Sequence, residues 1–475
     1  MDPREFRAQG YRLVDWIAEY FEHPETYPVL ARVKPGDIRS SLPPGAPEQG
    51  EPFDRIFEDF ERVLMPGMTH WNHPGFFAYF PATTSEPAVL AEMLAATLNQ
   101  QAMLWRTSPS ATELEQVSLA WLRDLMGLPS SFEGVIYDTA SVSTLHALAA
   151  AREQIVPDVR ERGLTGRSDL TGLRVYCSEH AHVSLEKAAI VLGVGQCGVR
   201  KIAGDGEFRM RPDSLREAIA ADRAAGLLPI AVVATVGTTS STSIDPVAAI
   251  ADICADERLW LHVDAAYAGV AAILPEKRWI LEGCDRADSF VVNPHKWLFT
   301  PVDISACYTR HLDIVRRAFS ITPDYLKSDT SSVHNLMDTG IQLGRRFRAL
   351  KLWMVLRHYG AAGIRELLSR HIRLAGTFSA WVDEDPDFER MAPVPLSVVC
   401  FRARPRAGTW TDATLDTLNE RLMNAVNATG DVFISHTRLN NCFTLRLAVG
   451  HQRTEERHVA RAWELLRDHL NRVSI

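Results

Sequence analysis

Lys296 closes the run Asp288-Ser289-Phe290-Val291-Val292-Asn293-Pro294-His295-Lys296-Trp297, where a short apolar stretch ends on a turn. An amine held there between His295 and Trp297 is partly desolvated, which favours its neutral form and lets it condense with an aldehyde. A lysine beside a tryptophan is also the ordinary pattern of an alkyl stem lying on a packed ring, so the pair needs partners to mean chemistry. Partners recur where apolar runs end. Asp264 follows Leu259-Trp260-Leu261-His262-Val263, Thr235 ends Ile230–Thr235, and Thr139, Ala140 and Ser141 follow Val135-Ile136-Tyr137. His182 lies just past Arg174–Ser178. Each has a plainer role as well: an aspartate or hydroxyl at a strand end caps a helix, and a lone histidine is satisfied by local hydrogen bonds.

The elements that must position these groups read as alternating apolar strands and helices, which predicts an α/β fold with a mostly parallel sheet covered on both faces. In such a sheet ligands bind outside the carboxyl ends of the strands, where Thr139, His182, Thr235, Asp264 and Lys296 all fall. Asp245-Pro246 is expected to cap a helix whose Val247, Ile250, Ala251 and Cys254 share a face. Before this region, helical spacing marks Phe6–Phe21 and Phe53–Leu64, joined by a proline- and glycine-rich strap from Pro24 to Pro52. Two helices on a strap bury little by themselves, so an arm lying on a second subunit is expected. Trp71 to Pro81 is a run of aromatic residues that forms either core or a ligand wall. A helix from Thr112 stops at Gly127. Thr322 to Thr339 lacks periodicity, holds Tyr325, and is expected to be a mobile lid. A helix is expected to resume at Leu343–Phe347 and run to Gly360. Beyond it, helices at Ile364–Leu374, Thr414–Asn427 and Glu455–Leu470 and strands at Leu396–Arg402, Asp431–Ser435 and Cys442–Ala448 suggest a small α+β domain. The expected division is an N-terminal helical arm over 1–85, a large α/β domain over 86–353 and the small domain over 354–475.

Composition narrows the function classes. The chain has 475 residues, 46% hydrophobic and 23% charged, with a net charge of -8, which argues against a nucleic-acid partner and for a small-molecule one. Seven scattered cysteines without a CxxC spacing suggest neither a disulfide framework nor a zinc site. No basic and apolar leader opens the chain and no apolar stretch is long enough to span a bilayer, so a cytoplasmic protein without membrane contact is expected.

Pyridoxal 5'-phosphate needs an amine for its aldehyde, an anion for its ring nitrogen, a flat contact for its ring and donors for its phosphate. Lys296, Asp264, His182 and the Thr139-Ala140-Ser141 turn offer one candidate for each. The chain as a whole resembles the pyridoxal-phosphate-dependent group II amino acid decarboxylases, nearest to the aromatic-L-amino-acid decarboxylases. The resemblance rests on Phe76-Phe77-Ala78-Tyr79-Phe80-Pro81, Thr112-Glu113-Leu114-Glu115, His182, Val263-Asp264-Ala265-Ala266-Tyr267-Ala268-Gly269, Asn293-Pro294-His295-Lys296-Trp297 and Leu343-Gly344-Arg345-Arg346-Phe347-Arg348. It implies fold type I, a homodimer with its site at the interface, and an N-terminal strap around the partner. By position it makes Lys296 the lysine that binds the cofactor aldehyde, Asp264 the partner of the pyridine nitrogen and His182 the stacking residue. Thr139, Ala140, Ser141, Asn293 and His295 become phosphate contacts, and Thr235 and Ala266 lie near the ring. Trp71, Tyr79, Phe80, Pro81, Ala82, Thr83, Gln101, Met103, His182 and Gly344 become the substrate wall.

The reaction so implied is loss of CO2 from an aromatic L-amino acid (tryptophan, 5-hydroxytryptophan, DOPA, tyrosine or phenylalanine), a carboxy-lyase reaction in which Tyr325 returns a proton as the loop closes. Related aldehyde synthases carry phenylalanine at that loop position or replace the histidine, whereas Tyr325 and His182 are of the decarboxylase type. Two departures stand out: Asp138-Thr139-Ala140-Ser141 replaces the Gly-Ser-Ala-Ser usual in animal members, and Gln101 and Met103 are less aromatic than in those relatives. Gly344 matches plant members that favour indolic substrates over phenolic ones. The alternatives are an oxidative aldehyde synthase, a decarboxylase of a non-aromatic acid such as glutamate, which the aromatic run disfavours, and a nucleotide-binding module, which lacks a Gly-x-Gly-x-x-Gly after a strand.

Overall fold

The computed structural model describes residues 1–156, 158–170, 172–321 and 333–472. The apolar runs assemble into one seven-stranded sheet: β1 (Glu133–Tyr137), β2 (Leu173–Ser178), β3 (Val199–Ile202), β4 (Leu228–Thr235), β5 (Trp260–Asp264), β6 (Ser289–Val292) and β7 (Ser305–Thr309), in the order β1-β7-β6-β5-β4-β2-β3. Four neighbouring pairs are parallel, and β7 runs antiparallel to both β6 and β1. Because β7 is reversed against both, β1 points the same way as β6. Tyr137, Ser178, Thr235, Asp264 and Val292 therefore end at one edge. Strand β4 is buried from Pro229 to Thr235, as a strand covered on both faces must be. Edge strand β3 carries Arg200 and Lys201, so it lacks the continuous apolar run that marks the others.

The chain divides into two compact units: Met1–Pro81, Thr377–Glu389 and Phe401–Ile475 in one, Ala82–Gly376 and Arg390–Cys400 in the other. In the first, Asp2 caps the helix Pro3–Glu22 by accepting from Arg4 N at 2.7 Å and Glu5 N at 2.9 Å. That helix lies on the helix Phe53–Asp59, with Trp16 edge-on to Phe57 at 6.2 Å and Arg12 paired to Asp54 at 2.7 Å. The pairing covers only part of each stripe, since Phe6, Tyr11 and Ile56 stay exposed. The carboxy-terminal part of the chain builds a second sheet from β8 (Phe388–Arg390), β9 (Val398–Ala403), β10 (Ser435–Leu439) and β11 (Cys442–Ala448), with helices Asp412–Thr429 and Glu456–Leu470. The strand expected over Asp431–Ser435 is displaced to Ser435–Leu439. Phe433 instead bridges the aromatic run, accepting from Phe77 N at 2.8 Å and donating to Gly75 O at 3.0 Å.

Two expectations in the larger unit are also corrected. No helix forms at Leu343–Phe347; the helix begins at Ala349 and runs to Glu384, broken at Gly360 (φ 61°). Arg345 accounts for this, because its backbone N–H goes to Gln101 Oε1 at 2.6 Å and its carbonyl accepts from Ala102 N at 2.9 Å, leaving neither for a helical ladder. Its guanidinium is buried against Glu115 at 2.7 Å and also donates to Ile136 O at 2.7 Å. Removing one partner of such a pair strands a buried charge, so Glu115→Ala is expected to destabilise the unit by about 3 kcal/mol, read from calorimetric unfolding. The second correction concerns Asp245. It does not cap the helix Val247–Glu257 but turns inward, accepting from Met210 N at 2.7 Å and Thr235 N at 2.8 Å. Burial lifts its pKa to about 6.

Candidate active site

Side by side on parallel strands, Thr235 pairs in register with Asp264, and Asp264 with Val291. The chain leaves β6 two residues later. Asn293 N donates to Ala266 O at 2.9 Å, and a single helical turn, Pro294–Trp297, follows with Lys296 N on Asn293 O at 3.0 Å. Trp297 is the anchor of that turn: it is fully buried, stacked on Tyr267 at 4.7 Å, and its Nε1 donates to His371 Nδ1 at 3.0 Å. The ring is thus packed by other rings, and Lys296 stands half-buried beside it.

Electrostatics tie the candidates together. Desolvation lowers the pKa of His182, the Asp264 carboxylate raises it, and the Lys296 ammonium lowers it, so the imidazole lies in the field of both. Although exposed, the His182 ring is held in orientation, for Nδ1 accepts from Ser184 N at 3.2 Å and meets Ser184 Oγ at 2.8 Å. Asp264 Oδ1 accepts from Ala266 N at 3.1 Å, which fixes the carboxylate at the strand end. His295 is buried and its Nδ1 accepts from Ile304 N at 3.0 Å, so the remaining proton of the neutral ring sits on Nε2. Desolvation is the main cause holding its pKa near 4.

The polar capacity left over fits pyridoxal phosphate. Among the described residues Thr235 Oγ1 and Asn293 Oδ1 are buried and have no hydrogen-bond partner, so both keep capacity that a bound group or a water can take up. Past the end of β1, which the reversed β7 separates from β6, Thr139 precedes the helix Ala140–Ile155, whose first-turn amides at Ala140 and Ser141 have no intrahelical acceptor and suit an anion. Thr235, Asn293, His295, Thr139, Ala140 and Ser141 would hold the group, with Lys296 for its aldehyde and Asp264 for its ring nitrogen.

The remaining predicted positions fall in other places. Gln101 and Gly344 come together, since a Cβ on Gly344 would stand 3.3 Å from Gln101 Nε2, whereas Met103 packs with Leu104 and Met337 and its carbonyl accepts from Met337 N at 3.1 Å. Ala82 and Thr83 precede Ser85, whose Oγ donates to Phe299 O at 2.8 Å in the loop after Lys296; Thr83 Oγ1 is buried without a partner among the described residues. Trp71, Tyr79, Phe80 and Pro81 belong to the other unit, where Trp71 stacks on Phe76 at 4.4 Å and Arg446 lies 4.6 Å over the Phe80 ring. Tyr325 lies outside the described residues. Missed by the sequence reading were Asp245, which holds the Thr235 backbone, and the Tyr267–Trp297–His371 stack. The Asp-Pro pair at a helix start concealed the first, and the second joins residues too far apart in sequence to signal a contact.

Among the described residues no group of three or more His, Cys, Asp or Glu could hold a metal, and no helix is long and apolar enough to cross a membrane. A tryptophan decarboxylase of Camptotheca acuminata is 41% identical over 98% of this chain and 95% of its own. The phenylacetaldehyde synthase of Arabidopsis thaliana is 40% identical over 98% and 96%. The crystal structure of Oryza sativa TDC with PLP and tryptamine superposes with a TM-score of 0.95 at 38% identity, over 99% of both chains. Residues 35–404 match the pyridoxal-dependent decarboxylase conserved domain, and with these relatives spanning nearly its full length, the chain belongs to the pyridoxal-dependent decarboxylase family of fold type I enzymes.

Proposed function

We propose that this protein removes CO2 from an aromatic L-amino acid and releases the amine. The observation that carries the reading is the row Thr235–Asp264–Val291 leading to Asn293 and Lys296, with His182 in the field of both Asp264 and Lys296. Bound pyridoxal phosphate supplies an aldehyde for the amine and an electron-withdrawing ring that stabilises the charge left on Cα as CO2 departs. The chain's own residues do the rest. Lys296 Nζ presents the amine, Asp264 holds a proton on the ring nitrogen, His182 covers the ring, and Tyr325 is the proton donor to Cα. Gly344 is the residue that the resemblance links to indolic substrates, and a Cβ there would press on Gln101 Nε2 at 3.3 Å, which supports tryptophan and 5-hydroxytryptophan among the substrates. The aromatic names of the relatives support the same class.

A homodimer in the cytoplasm is part of the proposal. Helix Glu86–Leu98 shows Leu90, Met93, Leu94 and Leu98 at 45–55% exposure on one side, a stripe too apolar to be left to water. Equilibrium sedimentation at the mass of one chain would remove the dimer.

A second reading, the aldehyde synthase, is favoured by the phenylacetaldehyde synthase relative. Product analysis with tryptophan, 5-hydroxytryptophan, DOPA, tyrosine and phenylalanine separates the two. Equal amine and CO2 support the decarboxylase; aldehyde with peroxide and ammonia supports the synthase. Tyr325→Phe is expected to divert product from amine toward aldehyde, and an unchanged rate of amine formation would remove Tyr325 from its role.

A further inference from the structure

The segment that carries Gly344 is fastened to the end of β1 and the start of the helix Ala140–Ile155. Tyr137 Oη donates to Thr339 O at 2.5 Å, Ile341 N donates to His146 Nε2 at 3.3 Å, and Gln342 Nε2 donates to Asp138 Oδ2 at 3.0 Å. Gly340 is needed for the approach, since a Cβ there would lie 2.7 Å from His146 Cε1. Asp138 uses its other oxygen on the turn itself: Oδ1 accepts from Thr139 N at 2.5 Å and Thr139 Oγ1 at 3.1 Å. One carboxylate thus bridges two pieces of chain. On one side is the turn assigned to the phosphate; on the other, two residues past Gln342, Gly344 meets Gln101, and Gln101 Oε1 accepts from Arg345 N at 2.6 Å.

A carboxylate is a poor neighbour for a phosphate dianion, because like charges at this range repel. Asp138 also occupies the Thr139 amide, a donor the anion could have used. Its place there is explained by what its second oxygen holds.

We propose that Asp138 is a positioning residue for side-chain selection: through Gln342 it sets where the Gly344–Gln101 wall stands relative to the Thr139 turn. The proposal rests on the aromatic decarboxylase reading above. Gln342→Leu removes the link, and Gln342→Glu replaces it by two facing carboxylates. Each is expected to raise the KM for tryptophan about tenfold, the scale of one charged hydrogen bond, and to shift the tryptophan-to-tyrosine ratio of kcat/KM while kcat stays within about twofold. Adding Asp138→Asn to Gln342→Glu rebuilds the bond with donor and acceptor exchanged, because Asn Oδ1 still takes the Thr139 amide and Nδ2 donates to the new carboxylate. That double variant is expected to return to within about twofold of the parent ratio, which loss of folding in Gln342→Glu could not explain.

Holoenzyme of each variant is assayed for amine release with both acids and for cofactor content by absorbance. A parent that makes amine, with Gln342→Leu and Gln342→Glu of unaltered selectivity, overturns the positioning role alone. The same holds if Asp138→Asn fails to rescue Gln342→Glu. A parent that makes no amine from any aromatic acid overturns the decarboxylase reading, and this proposal with it.

Discussion

Lys296→Ala is expected to lower kcat on every aromatic substrate by about 1000-fold or more, the range over which a positioned nucleophile and acid–base group acts. The change should be confined to chemistry. Trp297, not Lys296, anchors the turn through Tyr267 and His371, and the backbone bond from residue 296 to Asn293 O survives the substitution. The unfolding temperature of the apo protein should therefore stay close to that of the parent. Lys296→Arg separates two explanations of the loss. Arginine keeps the positive charge but does not deprotonate in a protein, so a site that needs a neutral amine fails with it, whereas a site that needs only charge recovers. Borohydride reduction of the parent with its cofactor should mark a single peptide, the one containing Lys296. Parent-like turnover by Lys296→Arg would end the account given for this residue.

Asp264→Asn is expected to cost about 10²–10³ in kcat, the usual loss when one preorganised charge aimed at the reacting group is removed. Asparagine can still accept from Ala266 N through Oδ1, so the 3.1 Å bond and the strand end should persist. What disappears is the charge that keeps a proton on the ring nitrogen. A second readout follows from the same charge. Asp264 raises the pKa of His182 against the desolvation that lowers it, so its neutralisation leaves His182 titrating at lower pH than in the parent. Imidazole titration by NMR on the apo protein should show that downward displacement. A fixed His182 titration in Asp264→Asn would mean that the two groups are electrically independent.

Much of this site was legible because it is local in sequence. Apolar runs alternating with helices give a parallel sheet, and residues that end such strands must share one edge. Thr235, Asp264 and the Asn293–Lys296 turn follow from that rule alone. What was misread involved groups whose partners are distant. Asp245 stands before a proline in the ordinary place of a helix cap, yet its carboxylate is committed to Met210 and Thr235. Leu343–Phe347 has the composition of a helix start, but Arg345 is drawn into the pair with Glu115, 230 residues earlier, and the helix waits until Ala349.

By itself the order of residues determined which groups gather at the carboxyl edge of the sheet, because strand direction and the alternation of apolar and polar runs are properties of short stretches. It determined as well that an amine, a carboxylate and an imidazole would be among them. Only the tertiary structure decided how these groups are held. Trp297 became an anchor through Tyr267 and His371, Asp138 became a bridge through Gln342, and the Thr235 and Asn293 side chains kept polar atoms without a partner among the described residues. Such contacts depend on which distant segments pack together, and hydrogen-bond partners and burial are settled only when they do.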